Sequence, residues 1–233
     1  MNTDHAARAR EILAARDAGV RIADPGIDDE DAYAIQDELS ALRYARGERR
    51  RGWKLGYTSA AMREQMGIPR PNFGPLTDVM FVESGAVVNG LVQAKVEPEV
   101  AVVIDADGAF TYFAALEIVD SVWSEYKFTW ASNTADGSSA TGVVLGPALA
   151  SAEVAAVLTL DDVEVARGHS SAAMGHPDHA MAWLAEQLAA RQDAWSPGDV
   201  IITGGLTRAQ PIGPGVRAEA RFGEVSVSVT RGA

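Results

Sequence analysis

The chain has 233 residues, 47% of them hydrophobic and 22% charged, enough for one large domain or for a small lobe on a core. Its formal charge of −12 and pI near 4.7 offer phosphates no positive field, which excludes a nucleic-acid partner, and the absence of cysteine excludes disulfides, a thiol nucleophile and thiolate zinc. No apolar run approaches the roughly 20 residues of a membrane span, and residues 1–5 lack the basic and apolar regions of a signal peptide, so a cytoplasmic protein with no membrane partner is expected.

Residues 4–18 read as a helix, with Thr3 as candidate N-cap and Gly19 closing it. After a turn at Asp24-Pro25-Gly26, a second helix is expected from about Asp28 to Gly47, with Tyr33, Ile35, Leu39 and Leu42 on its apolar side. The basic cluster at its end (Arg43, Arg46, Arg49, Arg50 and Arg51) reads as a solvated face or a complement to the helix dipole. A short helix is expected from Ser59 to Met66. From Gly67 to about residue 168 the pattern is strand and turn, with Asp105-Ala106-Asp107-Gly108 a hairpin signal. One helix follows over 178–191, where Met181, Leu184 and Leu188 recur at helical spacing. Residues 200–203 form a strand ended by Gly204-Gly205, and residues 224–230 alternate as a half-exposed strand. The pattern is α+β, an N-terminal helical lobe over residues 1–52 on a β-rich core over 53–233.

The most informative residues are acidic. Glu97 and Glu99 stand two apart in a strand-like run, so both point to one face, together with Ala101 and Val103. Glu117 lies in a second apolar run with no lysine or arginine within several residues. Carboxylates this close repel unless neutralised, which fits a hard divalent cation, Mg²⁺ or Mn²⁺ first. The same spacing also fits solvated residues on half-exposed strands. Pro98 between the pair removes a ladder N–H and predicts an edge or a bulge. Lys54, between Trp53 and Leu55, reads either as a solvated lysine or as a partly buried amine of lowered pKa. Asp78 reads as a turn residue, and His176 as a turn residue ahead of the helix.

Seven segments occur in an order that resembles one family: Asp31-Ala32-Tyr33-Ala34-Ile35-Gln36, Gly52-Trp53-Lys54-Leu55-Gly56-Tyr57-Thr58-Ser59, Phe73-Gly74-Pro75-Leu76-Thr77-Asp78, Val96-Glu97-Pro98-Glu99-Val100, Ala115-Leu116-Glu117-Ile118-Val119-Asp120-Ser121, Gly175-His176-Pro177 and Thr203-Gly204-Gly205-Leu206-Thr207. Over nearly the whole chain they look like the 2-keto-4-pentenoate hydratase and 4-oxalocrotonate decarboxylase family of the fumarylacetoacetate hydrolase superfamily. The resemblance implies a mixed β-roll core with a small helical lobe. It implies Mg²⁺ or Mn²⁺ held by Glu97, Glu99 and Glu117, catalytic roles for Lys54 and Asp78, and substrate contacts at Ser139, Gly205 and Thr207. The chain departs from the family in its 18-residue step from Glu99 to Glu117, in Pro98, and in Asp136-Gly137-Ser138, where relatives carry an asparagine.

What the resemblance implies is a lyase acting on a small anionic 2-keto acid through a metal-stabilised dienolate, in a homo-oligomer. Decarboxylation of 2-oxo-3-hexenedioate is weakly favoured over hydration of 2-hydroxypenta-2,4-dienoate, with a non-catalytic binding homologue as a third reading. Tyr126, Phe128 and Trp130, alternating along an expected strand, are candidates for an apolar wall. The resemblance also weighs against C–C hydrolysis, since hydrolytic relatives use a histidine and a glutamate of the N-terminal region and no histidine lies here between His5 and His169; there is likewise no G-x-S-x-G elbow for serine hydrolysis.

Overall fold

The computed structural model describes residues 4–60, 63, 64 and 67–233. Helix α1 (His5–Asp17) is capped by Asp4, whose side chain accepts from the Ala7 N–H; the expected cap Thr3 lies outside the described residues. Helix α2 (Ala32–Ala45) buries Ala32, Ile35, Gln36 and Leu39. The helix expected over 59–66 falls partly outside the described residues. Among the described residues two further α-helices follow, α3 (Trp130–Ala135) and α4 (Pro177–Ala190). On α4 the expected Met181, Leu184 and Leu188 are buried, and His176 caps it by accepting from the Asp178 N–H.

The strands are β1 (Arg50–Gly56), β2 (Asn72–Thr77), β3 (Phe81–Val82), β4 (Ala86–Val88), β5 (Lys95–Ile104), β6 (Phe110–Val119), β7 (Ala140–Ala148), β8 (Ala155–Leu160), β9 (Val163–His169), β10 (Val200–Ile202), β11 (Gln210–Pro211), β12 (Arg217–Phe222) and β13 (Val225–Arg231). Among the described residues they make two mixed sheets. The larger runs β2-β1-β10-β5-β6-β7-β3, with β11 also on β5; the smaller runs β4-β13-β12-β8-β9. The β5–β6 hairpin turns where Asp105-Gly108 predicts, the Gly108 N–H donating to the Asp105 carbonyl at 2.9 Å. The chain therefore has the α+β architecture of curled mixed sheets with helices at the N-terminus.

Period-two alternation decides which residues build the core and which build a site. Val96 and Val100 of β5, with Leu116 and Ile118 of β6, pack on Leu158, Ala220, Phe222 and Val227 of the smaller sheet. The residues between them must face the other way, so Glu97, Glu99 and Glu117 point away from this core. Trp123, fully buried among Ile12, Leu13 and Ile35, fastens the helical lobe and donates its indole N–H to the Ser132 carbonyl at 2.9 Å.

Three local expectations are corrected. Pro98 makes neither an edge nor a bulge: the β5–β6 register runs unbroken through Pro98↔Leu116. Its carbonyl faces the other side, where it accepts from the Leu206 N–H at 2.9 Å. There β10 pairs only with 101–103 and β11 only with 95–96, so the missing N–H falls in a gap between two partners. Residues 126–130 are not a strand. Glu125 and Tyr126 take left-handed backbone angles, and the Thr129 hydroxyl accepts from the Ser132 N–H, which starts α3 at Trp130. Strand β13 is not half-exposed throughout, since Val227, Ser228 and Val229 are buried in succession.

Candidate metal centre and cavity

Glu97 stands directly across the β5–β6 ladder from Glu117, and Glu99 lies two residues along the same face. One carboxylate oxygen from each falls within 4.8 Å of the other two. Lys54 joins them from β1, where it pairs with Ile202, which in turn pairs with Ala101 beside Glu99. Three strand spacings, roughly 14 Å on a flat sheet, separate β1 from β6. The Lys54 ammonium nevertheless donates to Glu117 Oε2 and to the Ser138 carbonyl, both at 3.0 Å, so the sheet curls around this face.

Three of the four are deeply buried, Lys54 at 3% exposed, Glu117 at 1% and Glu99 at 0%, while Glu97 is half-buried at the cavity. Burial, followed by the charge of Glu117, pushes the Glu97 carboxyl up to about 7, and Glu99 and Glu117 are raised with burial the leading cause. Burial alone would depress the Lys54 ammonium, but the charges of Glu117, Glu97 and Glu99 outweigh it and hold its pKa above the ordinary value. The lowered pKa that the sequence suggests is therefore overturned in this charge environment.

The donor set fits a hard cation. Three carboxylates against one ammonium leave two negative charges, and only oxygen is offered. Glu99 Oε1 and Glu117 Oε1 are buried with no hydrogen-bond partner, an arrangement that a bound cation would satisfy. The second oxygen of Glu99 is fixed by the Gly204 N–H at 2.6 Å. Glycine is required here: a Cβ at Gly205 would lie 1.9 Å from Glu97 Oε2, and Gly204 has φ +109° with Thr58 Oγ1 only 2.0 Å from a Cβ.

A cavity of about 330 Å³ opens above the cluster, with Lys54, Glu97, Ser139 and Gly205 in its lining. Of the other expected site residues, Thr207 is buried outside that lining and spends its hydroxyl on the Arg208 carbonyl at 3.0 Å. Asp78 stands apart from the cluster altogether. Strand β2 runs antiparallel to β1, pairing Gly74 with Lys54 and Thr77 with Arg50, so the residue after Thr77 lies beyond the far end of β1. There Asp78 is exposed and accepts from the Arg49 N–H at 3.0 Å and the Val79 N–H at 3.1 Å, and the first of these holds its carboxyl below the usual range.

Of the lining residues, Asn133 and Lys95 were not foreseen, whereas the serine segment and two of the aromatic residues were. Ser138 follows Gly137 in a turn where three consecutive residues, Gly137, Ser138 and Ser139, take left-handed φ of 80°, 59° and 57°. That strained turn presents the Ser138 carbonyl to Lys54. It is braced by Asn72 Oδ1, which accepts from the Ser138 hydroxyl at 3.0 Å, and by Asp136 Oδ1, which accepts from the Ser139 N–H at 2.7 Å. Asn133 reaches Ser139 Oγ at 2.9 Å. Tyr126 and Phe128 line the cavity as an apolar wall, whereas Trp130 packs elsewhere, near Tyr33 and Ile68. Lys95, two residues before Glu97, also lines the cavity; the period-two rule that pairs Glu97 with Glu99 places it on the same face.

No protein-family model matches the chain. It is 36% identical to the 2-keto-4-pentenoate hydratase of Paraburkholderia phymatum, over 86% of each chain. It is 34% identical to a 4-oxalocrotonate decarboxylase of Pseudomonas putida, over 82% of this chain and 81% of the relative. Among solved structures, the 4-oxalocrotonate decarboxylase of Pseudomonas putida G7, complexed with magnesium and adipate, superposes with a TM-score of 0.91 at 30% identity, covering 97% of both chains. Fumarylpyruvate hydrolase of Pseudomonas aeruginosa shares the fold at 16% identity, with a TM-score of 0.59 over 79% of this chain and 89% of the other.

Proposed function

The chain belongs to the family of 2-keto-4-pentenoate hydratases and 4-oxalocrotonate decarboxylases, and from that premise we propose that it is a divalent-metal-dependent lyase acting on a short unsaturated 2-keto acid. The observation that supports this best is the set Glu97, Glu99, Glu117 and Lys54, gathered beneath one cavity. Glu97, Glu99 and Glu117 would hold the metal, with Mg²⁺ the first candidate and Mn²⁺ the second. When bound there, the cation supplies positive charge beside the keto-acid end of a substrate and draws electron density out of the chain.

The protein's own groups do the rest. Lys54 carries three N–H donors and spends two on Glu117 and Ser138, which leaves one for a group in the cavity it lines. That third N–H is placed to hold or deliver a proton at a substrate atom. Tyr126 and Phe128 line the cavity and exclude water from the part they face. Asp78 is assigned no chemical role, because it lies beyond the far end of β1.

Decarboxylation of 2-oxo-3-hexenedioate is the favoured reaction, since the solved relative that superposes over 97% of both chains is a 4-oxalocrotonate decarboxylase. Hydration of 2-hydroxypenta-2,4-dienoate is the second reading, supported by the 36% identity to a hydratase. A homo-oligomer is part of the same proposal. The deciding experiment incubates Mg²⁺-loaded protein with each compound and follows CO₂ and 4-hydroxy-2-oxopentanoate. CO₂ from the diacid supports the decarboxylase; hydration of the dienoate with the diacid untouched assigns the hydratase; inertness toward both refutes the lyase.

A further inference from the structure

The cavity is cationic in a strongly anionic protein. Lys54, Lys95 and Arg208 line it, against one lining carboxylate, Glu97. Glu99 and Glu117 sit directly behind. With a divalent cation held by the carboxylates, that cation and Lys54 together balance Glu97, Glu99 and Glu117, and the charge of Lys95 is left over for a ligand.

Lys95 is the residue placed to read a ligand's second charge. It lies on the same face of β5 as Glu97, two residues or about 6.7 Å along the strand, and on the side away from Glu99. Its ammonium rests 3.7 Å from the centroid of the Tyr126 ring, and that ring is fixed by its hydroxyl donating to the Val119 carbonyl at 2.9 Å. Among the described residues Lys95 has no ion-pair partner within 4 Å, although it is half-buried. A half-buried ammonium, held by an aromatic face and facing a cavity, is a receptor for a carboxylate.

We propose that Lys95 selects a dicarboxylate, its ammonium receiving the distal carboxylate of a 2-keto diacid whose keto-acid end lies over Glu97, Glu99 and Glu117. The inference rests on the keto-acid reading above and narrows its substrate class. Because the contact is made to the bound ground state, it acts on affinity more than on turnover.

Calorimetric titration of the Mg²⁺-loaded protein with 2-oxoadipate and 2-oxohexanoate, which differ only in the distal carboxylate, tests the point without requiring a reaction. Wild-type protein should bind the diacid about 10- to 100-fold more tightly, the range for one hydrogen-bonded charge. Lys95→Met should bring that ratio close to one, while Lys95→Arg, which keeps the cation, should retain most of it. If Lys95 only balances Glu97, both acids weaken together in Lys95→Met and the ratio survives, which overturns the proposal. A wild-type ratio near one, or no binding of either acid, also overturns it. A preserved ratio-dependence on Lys95 with no turnover of 2-oxo-3-hexenedioate or of the dienoate would refute the lyase assignment alone.

Discussion

Lys54 and Glu117 meet 3.0 Å apart in the interior although their strands stand three places apart in the sheet. The contact gives Lys54 a fixed position beside the carboxylates and gives those carboxylates a buried counter-charge. Replacing Lys54 by methionine should lower kcat by roughly 10²- to 10⁴-fold, the usual worth of a positioned proton donor or base. Mg²⁺ affinity should be no weaker, since the competing cation has gone. Steady-state kinetics and metal titration on one preparation check both; normal turnover in Lys54→Met would remove this residue from the chemistry.

Metal removal should make stability depend on pH in a direction opposite to ordinary acid denaturation. The Glu97 carboxyl is raised from 4.5 to about 7, by burial first, and Glu99 and Glu117 are raised as well. In that window the folded state holds more protons than the unfolded state, so stability falls as pH rises from about 4.5 toward 7. In EDTA, Tm should therefore drop across this range. Mg²⁺ should restore more at the upper end, by about 2.7 kcal/mol at a hundredfold excess over its Kd. A metal-free Tm that climbs over the same range would refute the buried carboxylate cluster.

These features were unequally legible in the sequence. The face shared by Glu97 and Glu99 followed from strand period alone, and the helix carrying Met181, Leu184 and Leu188 from its own periodicity. Pro98 was visible but misread, because its tolerance depends on where two other strands stop. Tyr126, Phe128 and Trp130 alternate like a strand, yet the Thr129 cap and two left-handed residues give a turn and a helix. The strain of the Gly137–Ser139 turn was not legible, since beside the local Asp136 contact it is held by Asn72 and Lys54, contacts made only on folding. Asp78 was assigned by motif to a site that the antiparallel course of β2 carries it away from.

Gly205 should act on the metal without touching it. A methyl group there would overlap Glu97 Oε2, while Gly205 itself is a loop residue outside the core clusters. Gly205→Ala should weaken Mg²⁺ binding by about 10- to 100-fold, as displacement of a ligand's support commonly does, with a Tm in EDTA close to wild type. Unchanged metal affinity would show that Glu97 relocates freely and is not a ligand.

Arg16 ties the helical lobe to the turn that positions Lys54. From α1 it donates to the Asp136 carbonyl at 2.8 Å and the Ala140 carbonyl at 3.2 Å, and its guanidinium lies 3.6 Å from the Asp136 carboxylate. Burial pushes the Asp136 carboxyl up and the Arg16 guanidinium down, so each charge depends on the other. Breaking the pair by Arg16→Met should cost about 3 kcal/mol, because it removes the cation beside the buried Asp136 carboxylate. It should also release the Gly137–Ser139 turn from its left-handed strain, withdraw the Ser138 carbonyl from Lys54 and lower kcat more than it raises KM. Arg16→Lys, which keeps the charge but loses the fork, should recover stability more fully than kcat. Denaturant melts read against kcat and KM for the three proteins separate the two effects. If kcat tracks stability alone across the series, Arg16 is a structural tie and plays no part in placing Lys54.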